Sequence, residues 1–243
     1  MLDTIVLLTG PGERETLAAL LQSHNPRLTV RTVGTLAELE TIERAVLRRA
    51  RLIAFLTHVV VPQRILDRLG FGAYNFHPGP PDYPGWVPSH FAIYNKTASF
   101  GATAHVMTAE VDAGSIIGVE LFDIPADTGV LELERLAFVE LARLFWKLAK
   151  ILATQAEPLQ ELPIRWCGPR STRRKYEAMC DIPPNISKEE LERRLNVFGD
   201  GHFGIYPTIT MNGHRFRYLK PEGKAVNAPS IAPAHEPDVE PVG

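Results

Sequence analysis

The sequence predicts an α/β fold: a doubly wound, mostly parallel sheet followed by a small C-terminal unit of one helix plus a β-hairpin. Three observations carry this. Short apolar runs alternate with helix-period segments through the first half of the chain. One run, residues 52–56, is apolar on both faces, as strands buried inside parallel sheets are. The C-terminal portion holds a Ser-x-x-Glu capping box and an Asn-Gly turn between two short runs.

The elements follow in order. Residues 4–9 form the first strand, and Gly10-Pro11-Gly12 turns the chain into a helix with Leu17, Leu20 and Leu21 on its apolar face. Residues 28–33 are the second strand. Residues 35–49 read as one helix presenting Leu36, Leu39, Ile42, Val46 and Leu47. After the third strand at 52–56, a short helix over 63–69 ends at Gly70, and residues 73–76 form the fourth strand. Residues 78–88 hold five prolines and two glycines, a rigid loop beginning where that strand ends. Residues 100–107 and 116–122 are two further strands. Asp127 or Thr128 caps a long helix to about residue 154, whose stripe of Leu133, Leu136, Leu141, Leu144, Leu148 and Leu152 faces the core. Ser187 and Glu190 open a helix reaching Val197, and residues 208–211 and 214–218 flank Asn212-Gly213. The expected organisation is a main domain over 1–155, a small α+β unit over 156–220 and a tail over 221–243. That tail has five prolines and almost no large apolar residues, so it is expected to be disordered.

Composition narrows the function. The chain has 243 residues, 45% of them hydrophobic, and a net charge of −2, which excludes a polyanion binder acting through the whole molecule. The two cysteines, Cys167 and Cys180, are too few for a disulfide scaffold and read as free thiols in a reducing cytoplasm. No basic segment precedes the short N-terminal apolar run, and no stretch is long and apolar enough to span a bilayer, so neither a signal peptide nor a membrane partner is expected. The expected localisation is cytoplasmic.

The chemistry concentrates in two pieces: Asn75-Phe76-His77-Pro78-Gly79, and the stretch from Gly101 through Asp112 to Gly114. Strand alternation puts Asn75 and His77 on one face, at the carboxyl end of a strand where open α/β sheets bind ligands. An amide N–H can stabilise an oxyanion, an imidazole can take a proton, and a carboxylate can orient that imidazole. This set suits attack of an amine on a formyl carbon.

On these residues the chain resembles the 10-formyltetrahydrofolate-dependent formyltransferases, a family that includes glycinamide ribonucleotide transformylase, methionyl-tRNA formyltransferase and the sugar N-formyltransferases. The resemblance covers about residues 52–122, with a weaker echo in the first strand and turn. The family's Asn-x-His falls on Asn75 and His77, its Asp-x-Gly on Asp112-Ala113-Gly114, 35 residues beyond His77, and its Tyr-Pro-Gly on Tyr83-Pro84-Gly85. The resemblance implies a Rossmann-like core and a formyl transferase with Asn75, His77 and Asp112 as catalytic residues. It implies 10-formyltetrahydrofolate as co-substrate, held by Leu56, Thr57, His58, Val59, Tyr83, Gly85, Thr108, Glu110 and Val111, largely through backbone. Gly10, Gly12, Trp86 and His105 are the expected substrate contacts.

There are departures. Gly79 stands where the family has Ser, Pro80-Pro81-Asp82 replaces Leu-Leu-Pro, and the region before Asn75 is about one strand–helix unit shorter. The first loop reads Gly10-Pro11-Gly12-Glu13-Arg14. Glu13 would oppose a substrate phosphate and Arg14 would help one, so a purine-biosynthetic role is disfavoured.

Plainer readings stand beside these. Gly10-Pro11-Gly12 also serves as a simple strand–helix turn, His105 as sheet packing, His58 as backbone only and Trp86 as loop packing. The basic run 165–175 also serves as a solvated connector. His58, His77, His90 and His105 lack tight ligand spacing, so no metal is expected. The leading acceptor is a small amine, a nucleotide-linked amino sugar, because the appended unit resembles the short C-terminal modules of the sugar enzymes. Methionyl-tRNA is the runner-up, disfavoured because residues 155–220 carry 11 basic and 8 acidic residues and are short for the tRNA enzyme's C-terminal barrel. Hydrolysis of the donor, or folate binding without catalysis, are the remaining alternatives. A homodimer is left open.

Overall fold

The computed structural model describes residues 2–220. The predicted disordered tail lies outside the described residues. The chain begins with β1 (Thr4–Thr9), α1 (Arg14–His24), β2 (Thr29–Val33), α2 (Leu36–Glu40), α3 (Arg44–Leu47), β3 (Ala50–Phe55), α4 (Gln63–Leu66) and β4 (Ala73–His77). It continues through α5 (Pro88–Tyr94), β5 (Ser99–Val106), β6 (Ile116–Asp123) and α6 (Val130–Thr154). The six strands form one sheet in the order β2-β1-β3-β4-β5-β6. The first four are parallel, and β5 and β6 each run antiparallel to the preceding neighbour. The fold is therefore α/β with a mostly parallel sheet, as the alternation predicts. Every residue of β1 and β3 is buried, which explains the apolar runs at residues 5–8 and 52–55 within them, with Arg51 the one charged exception.

Two cores flank the sheet. Ile5, Leu7, Ile53, Phe55 and Phe76 pack against Leu141, Phe145 and Leu152 of α6 on one face. Val6, Leu8, Leu52 and Ala54 pack against Leu39, Leu47 and Ile65 on the other. The single helix predicted over 35–49 is two short ones. The Thr41 and Ile42 amides bond to Glu38 and Leu39, closing tight turns, and Glu43 is extended. The apolar spacing is met equally well by two helices that each bury a leucine, Leu39 and Leu47. Gly129, rather than Asp127 or Thr128, sits at the N-terminus of α6, because the Thr128 hydroxyl donates to the Pro125 carbonyl instead. Within the predicted stripe Leu133, Leu141, Leu144 and Leu152 are buried, while Leu136 and Leu148 are half-buried.

The C-terminal portion contains α7 (Arg173–Cys180), β7 (Asp181–Ile182), α8 (Lys188–Phe198), β8 (Thr208–Met211) and β9 (His214–Arg217). The Ser187 hydroxyl accepts from the Glu190 amide at 3.2 Å, so the predicted cap forms. The Glu190 carboxylate turns instead to Tyr94 and Arg194. Asn212 and Gly213 both take positive φ, 50° and 80°, the conformation a two-residue hairpin turn with strand-matching twist needs. β7 adds a third strand to the hairpin. The segment before α7 docks on the proline-rich loop: the Trp86 amide bonds to the Ser171 carbonyl and the Ser171 amide to Pro84, each near 3 Å. Among the described residues no helix is long and apolar enough to cross a membrane.

Candidate active site

β4 delivers Asn75 and His77 on one face, and β5 pairs with it so that His105 lies opposite Asn75 and Thr103 opposite His77. A register shift between Ala104 and His105 in the β5–β6 pairing marks a bulge at that point, a device that re-aims side chains beside functional sites. Asp112 lies in the β5–β6 loop with φ of 46°, a strained backbone for aspartate.

Four side chains converge. Asp112 Oδ2 accepts the Gly85 N–H at 2.8 Å and lies 3.3 Å from His77 Nδ1, while Oδ1 lies 3.1 Å from His105 Nε2. The Asn75 amide nitrogen is 3.1 Å from the same His105 Nε2. The outer nitrogens face backbone carbonyls: His77 Nε2 with Tyr83 at 3.0 Å and His105 Nδ1 with Val106 at 2.8 Å. His77, His105 and Asp112 are all buried.

The hydrogen-bond demand is informative. A neutral imidazole carries one N–H, yet both His77 nitrogens face acceptors. A proton arriving at His77 therefore completes both of its contacts. At His105, a proton on Nε2 serves Asp112 and a lone pair serves the Asn75 amide, and it cannot do both at once. Burial works to raise the Asp112 pKa, but His77, His105 and the Gly85 N–H outweigh it and hold the carboxyl down at about 2. Burial lowers the His77 pKa from the ordinary value against the pull of Asp112 and the Tyr83 carbonyl. The site thus pairs a fixed carboxylate with an imidazole that rests neutral and has a place prepared for a proton.

The group forms one wall of a cavity of about 780 Å³. Of the nine residues expected to hold the co-substrate, Leu56, Thr57, His58, Val59, Gly85, Thr108, Glu110 and Val111 line it. Tyr83 does not: its hydroxyl bonds to Thr97 and its carbonyl serves His77. Trp86 and His105 line the cavity; Gly10 and Gly12 sit in the β1–α1 turn and line neither it nor the neighbouring groove. Leu56, Val87, Asp112 and Phe203, four of the seven non-glycine residues with positive φ among the described residues, all border the cavity. Strain of this kind concentrates at ligand sites.

Sequence reasoning missed part of the wall. Glu134 and Phe138 come from α6, and Arg170, Ser171, Thr172, His202 and Phe203 from the C-terminal portion. Trp166 stands behind the cluster, its indole N–H donating to Gly114 at 2.9 Å and its ring edge-on to His77 and His105 at 5.7 and 5.1 Å. It belongs to an open groove of about 890 Å³ that shares Glu110, Asp112 and Arg170 with the cavity. The basic run at 165–175 was the one visible signal. Its role as the strip that docks on the Gly85 loop depends on contacts spanning more than eighty residues, which no local pattern records.

No family model matches the chain. Methionyl-tRNA formyltransferase of Streptococcus thermophilus is 29% identical over 167 residues, covering 65% of this chain and 49% of that protein. The chain thus spans about half the length of the curated relatives it matches. A sugar N-formyltransferase from Shewanella sp. superposes with a TM-score of 0.73 over 93% of this chain and all of that one, at 15% identity. An N-formyltransferase from Helicobacter canadensis, solved with folinic acid and dTDP-3-aminofucose, superposes with a TM-score of 0.61 over 88% of this chain and 85% of that one, at 16% identity.

Proposed function

We propose, taking this chain as a member of the formyltransferase family, that it moves a formyl group from 10-formyltetrahydrofolate to the amine of a nucleotide-linked amino sugar. One observation carries the reading: Asn75, His77, His105 and Asp112 meet on the wall of a cavity at the carboxyl end of β4. Its volume of about 780 Å³ falls within the usual size of small-molecule sites. The apolar rim of Leu56, Val59, Val111 and Phe203 suits a flat pterin ring.

In this reading Asn75 offers an amide N–H to the oxygen that turns negative as the amine nitrogen bonds to the formyl carbon. His77 takes the proton the amine sheds, and its imidazolium is then satisfied at both ends, by Asp112 and by the Tyr83 carbonyl. Asp112 stays ionised throughout and fixes His77. The bond from the formyl carbon to the folate nitrogen breaks as that nitrogen regains a proton, so charge and atoms balance. His105 Nε2 lies between Asn75 and Asp112 and hydrogen-bonds one or the other, according to whether it carries a proton.

The acceptor class is supported by the fold match across the full length of the Shewanella sugar enzyme, and by the Helicobacter enzyme's complex with an amino-sugar nucleotide. The test is release of tetrahydrofolate with nucleotide-linked amino sugars, methionyl-tRNA or water alone as acceptors. Amino-sugar-dependent turnover with one formylated product per tetrahydrofolate is expected. Turnover only with the tRNA, only with water, or folate binding with no turnover would each overturn the reading.

A further inference from the structure

His90, Glu134 and His202, the last two on the cavity wall, present one nitrogen or oxygen each, all within 4.8 Å of one another. They come from three places: His90 from α5, Glu134 from α6, and His202 from the turn after Gly201. His90 Nδ1 lies 3.7 Å from Glu134 Oε1. That nitrogen is fully buried and has no hydrogen-bond partner, and His90 is only 2% exposed. The ring is fixed by aromatic neighbours, stacked on Phe198 and edge-on to Tyr176, so it cannot simply turn to water. The Tyr176 hydroxyl in the same cage is also buried without a partner. A buried polar atom left unpartnered is costly, so two such atoms beside a carboxylate and a second imidazole ask for an occupant.

We propose that His90, Glu134 and His202 form a binding site for a divalent zinc-type cation. Two imidazoles and one carboxylate are a donor set that zinc accepts, with a fourth position left open. Ligand atoms around one tetrahedral zinc ion are separated by about 3.4 Å, given bonds of about 2.0–2.1 Å. The His90–Glu134 pair, at 3.7 Å, is already close to that, and the His202 ligand atom lies within 4.8 Å of both. Burial, with His202 adding to it against the pull of Asp200, holds the His90 pKa down at about 3, which keeps the ring a neutral donor. Glu134 and His202 line the cavity, so a cation held by them is reachable from it. Asp200 stands near both imidazoles and is itself paired with Lys220, which leaves Glu134 as the carboxylate of the set.

The test uses the full chain without a polyhistidine tag, stripped with chelator, and titrates it with Zn²⁺ by calorimetry and with Co²⁺ by visible absorption. One equivalent of each metal should bind, cobalt with the absorption of four-coordinate geometry, and zinc should raise the melting temperature. Glu134→Gln and His202→Ala should each weaken binding by more than the roughly 10- to 100-fold that loss of an outer-shell partner costs. Both positions are partly exposed, so both variants are expected to fold. No one-to-one binding, which would leave an ordered water as the occupant, would overturn the proposal. So would binding that neither substitution weakens.

Discussion

Asp112 faces two imidazoles and one backbone N–H, and each contact bears on how the other groups hold their protons. Its charge raises the His77 pKa while burial lowers it. Asp112→Asn removes the charge and keeps the shape, so the acidic limb of the pH–rate profile should move to lower pH while the maximal rate falls. A limb that stays in place would mean His77 does not titrate in the rate-limiting step. Asn75→Ala should raise the barrier by roughly 2.7–4 kcal/mol, the cost of a lost oxyanion donor, with folate affinity unchanged by calorimetry. At this scale the grouping of the side chains was legible: strand alternation puts Asn75 and His77 on one face, and Asp112 enters through the Asp-x-Gly step that resembles the family's. His105 was ambiguous between packing and contact because only the pairing of β4 with β5, and the bulge beside it, decides where its ring points.

Gly85 and Arg51 show what the elements contribute. Gly85 has φ of 96°, and a Cβ there would meet the Ser171 carbonyl at 2.1 Å. Gly85→Ala should therefore loosen the strip that closes the cavity. The expected readout is a lower melting temperature, about 1–3 kcal/mol of lost stability and faster amide exchange in the segment before α7. Arg51 is fully buried on β3, and its guanidinium bonds to Phe71, Leu152 and Glu157 carbonyls, closing the C-terminal end of α6. Arg51→Met should cost about 2–4 kcal/mol in urea unfolding, because those carbonyls lose a charged donor. The apolar runs of β1 and β3 were plain from the sequence, since their burial is two-sided, whereas the burial of Arg51 was not. The helix over 35–49 was misread as continuous because two short helices bury the same leucines. α5 and α7 were not seen, since α5 starts inside a proline-rich loop and α7 inside a basic run.

Across the whole molecule, we propose a catalytic domain over 1–155 and a smaller unit over 156–220 that closes its cavity through Arg170, Ser171, His202 and Phe203. Folding also couples to pH through the site. His77 and Asp112 both have lowered pKa values, so the folded state holds fewer protons than the unfolded one and stability rises with pH. The His77 share is present above about pH 6.5 and is lost as pH falls below it. The Asp112 share is present above its unfolded value of about 3.9 and is lost as pH falls through about 2. Urea midpoints for Asp112→Asn should show a flatter decline than the wild type below about pH 4, the range in which the Asp112 share is lost. The most direct test of the central claim is single-turnover formyl transfer from 10-formyltetrahydrofolate to a nucleotide-linked amino sugar, comparing the wild type with His77→Ala. If His77 takes the amine proton, transfer slows about 10²- to 10⁴-fold with folate affinity retained. A well-folded His77→Ala protein that transfers formyl at the wild-type rate would contradict it.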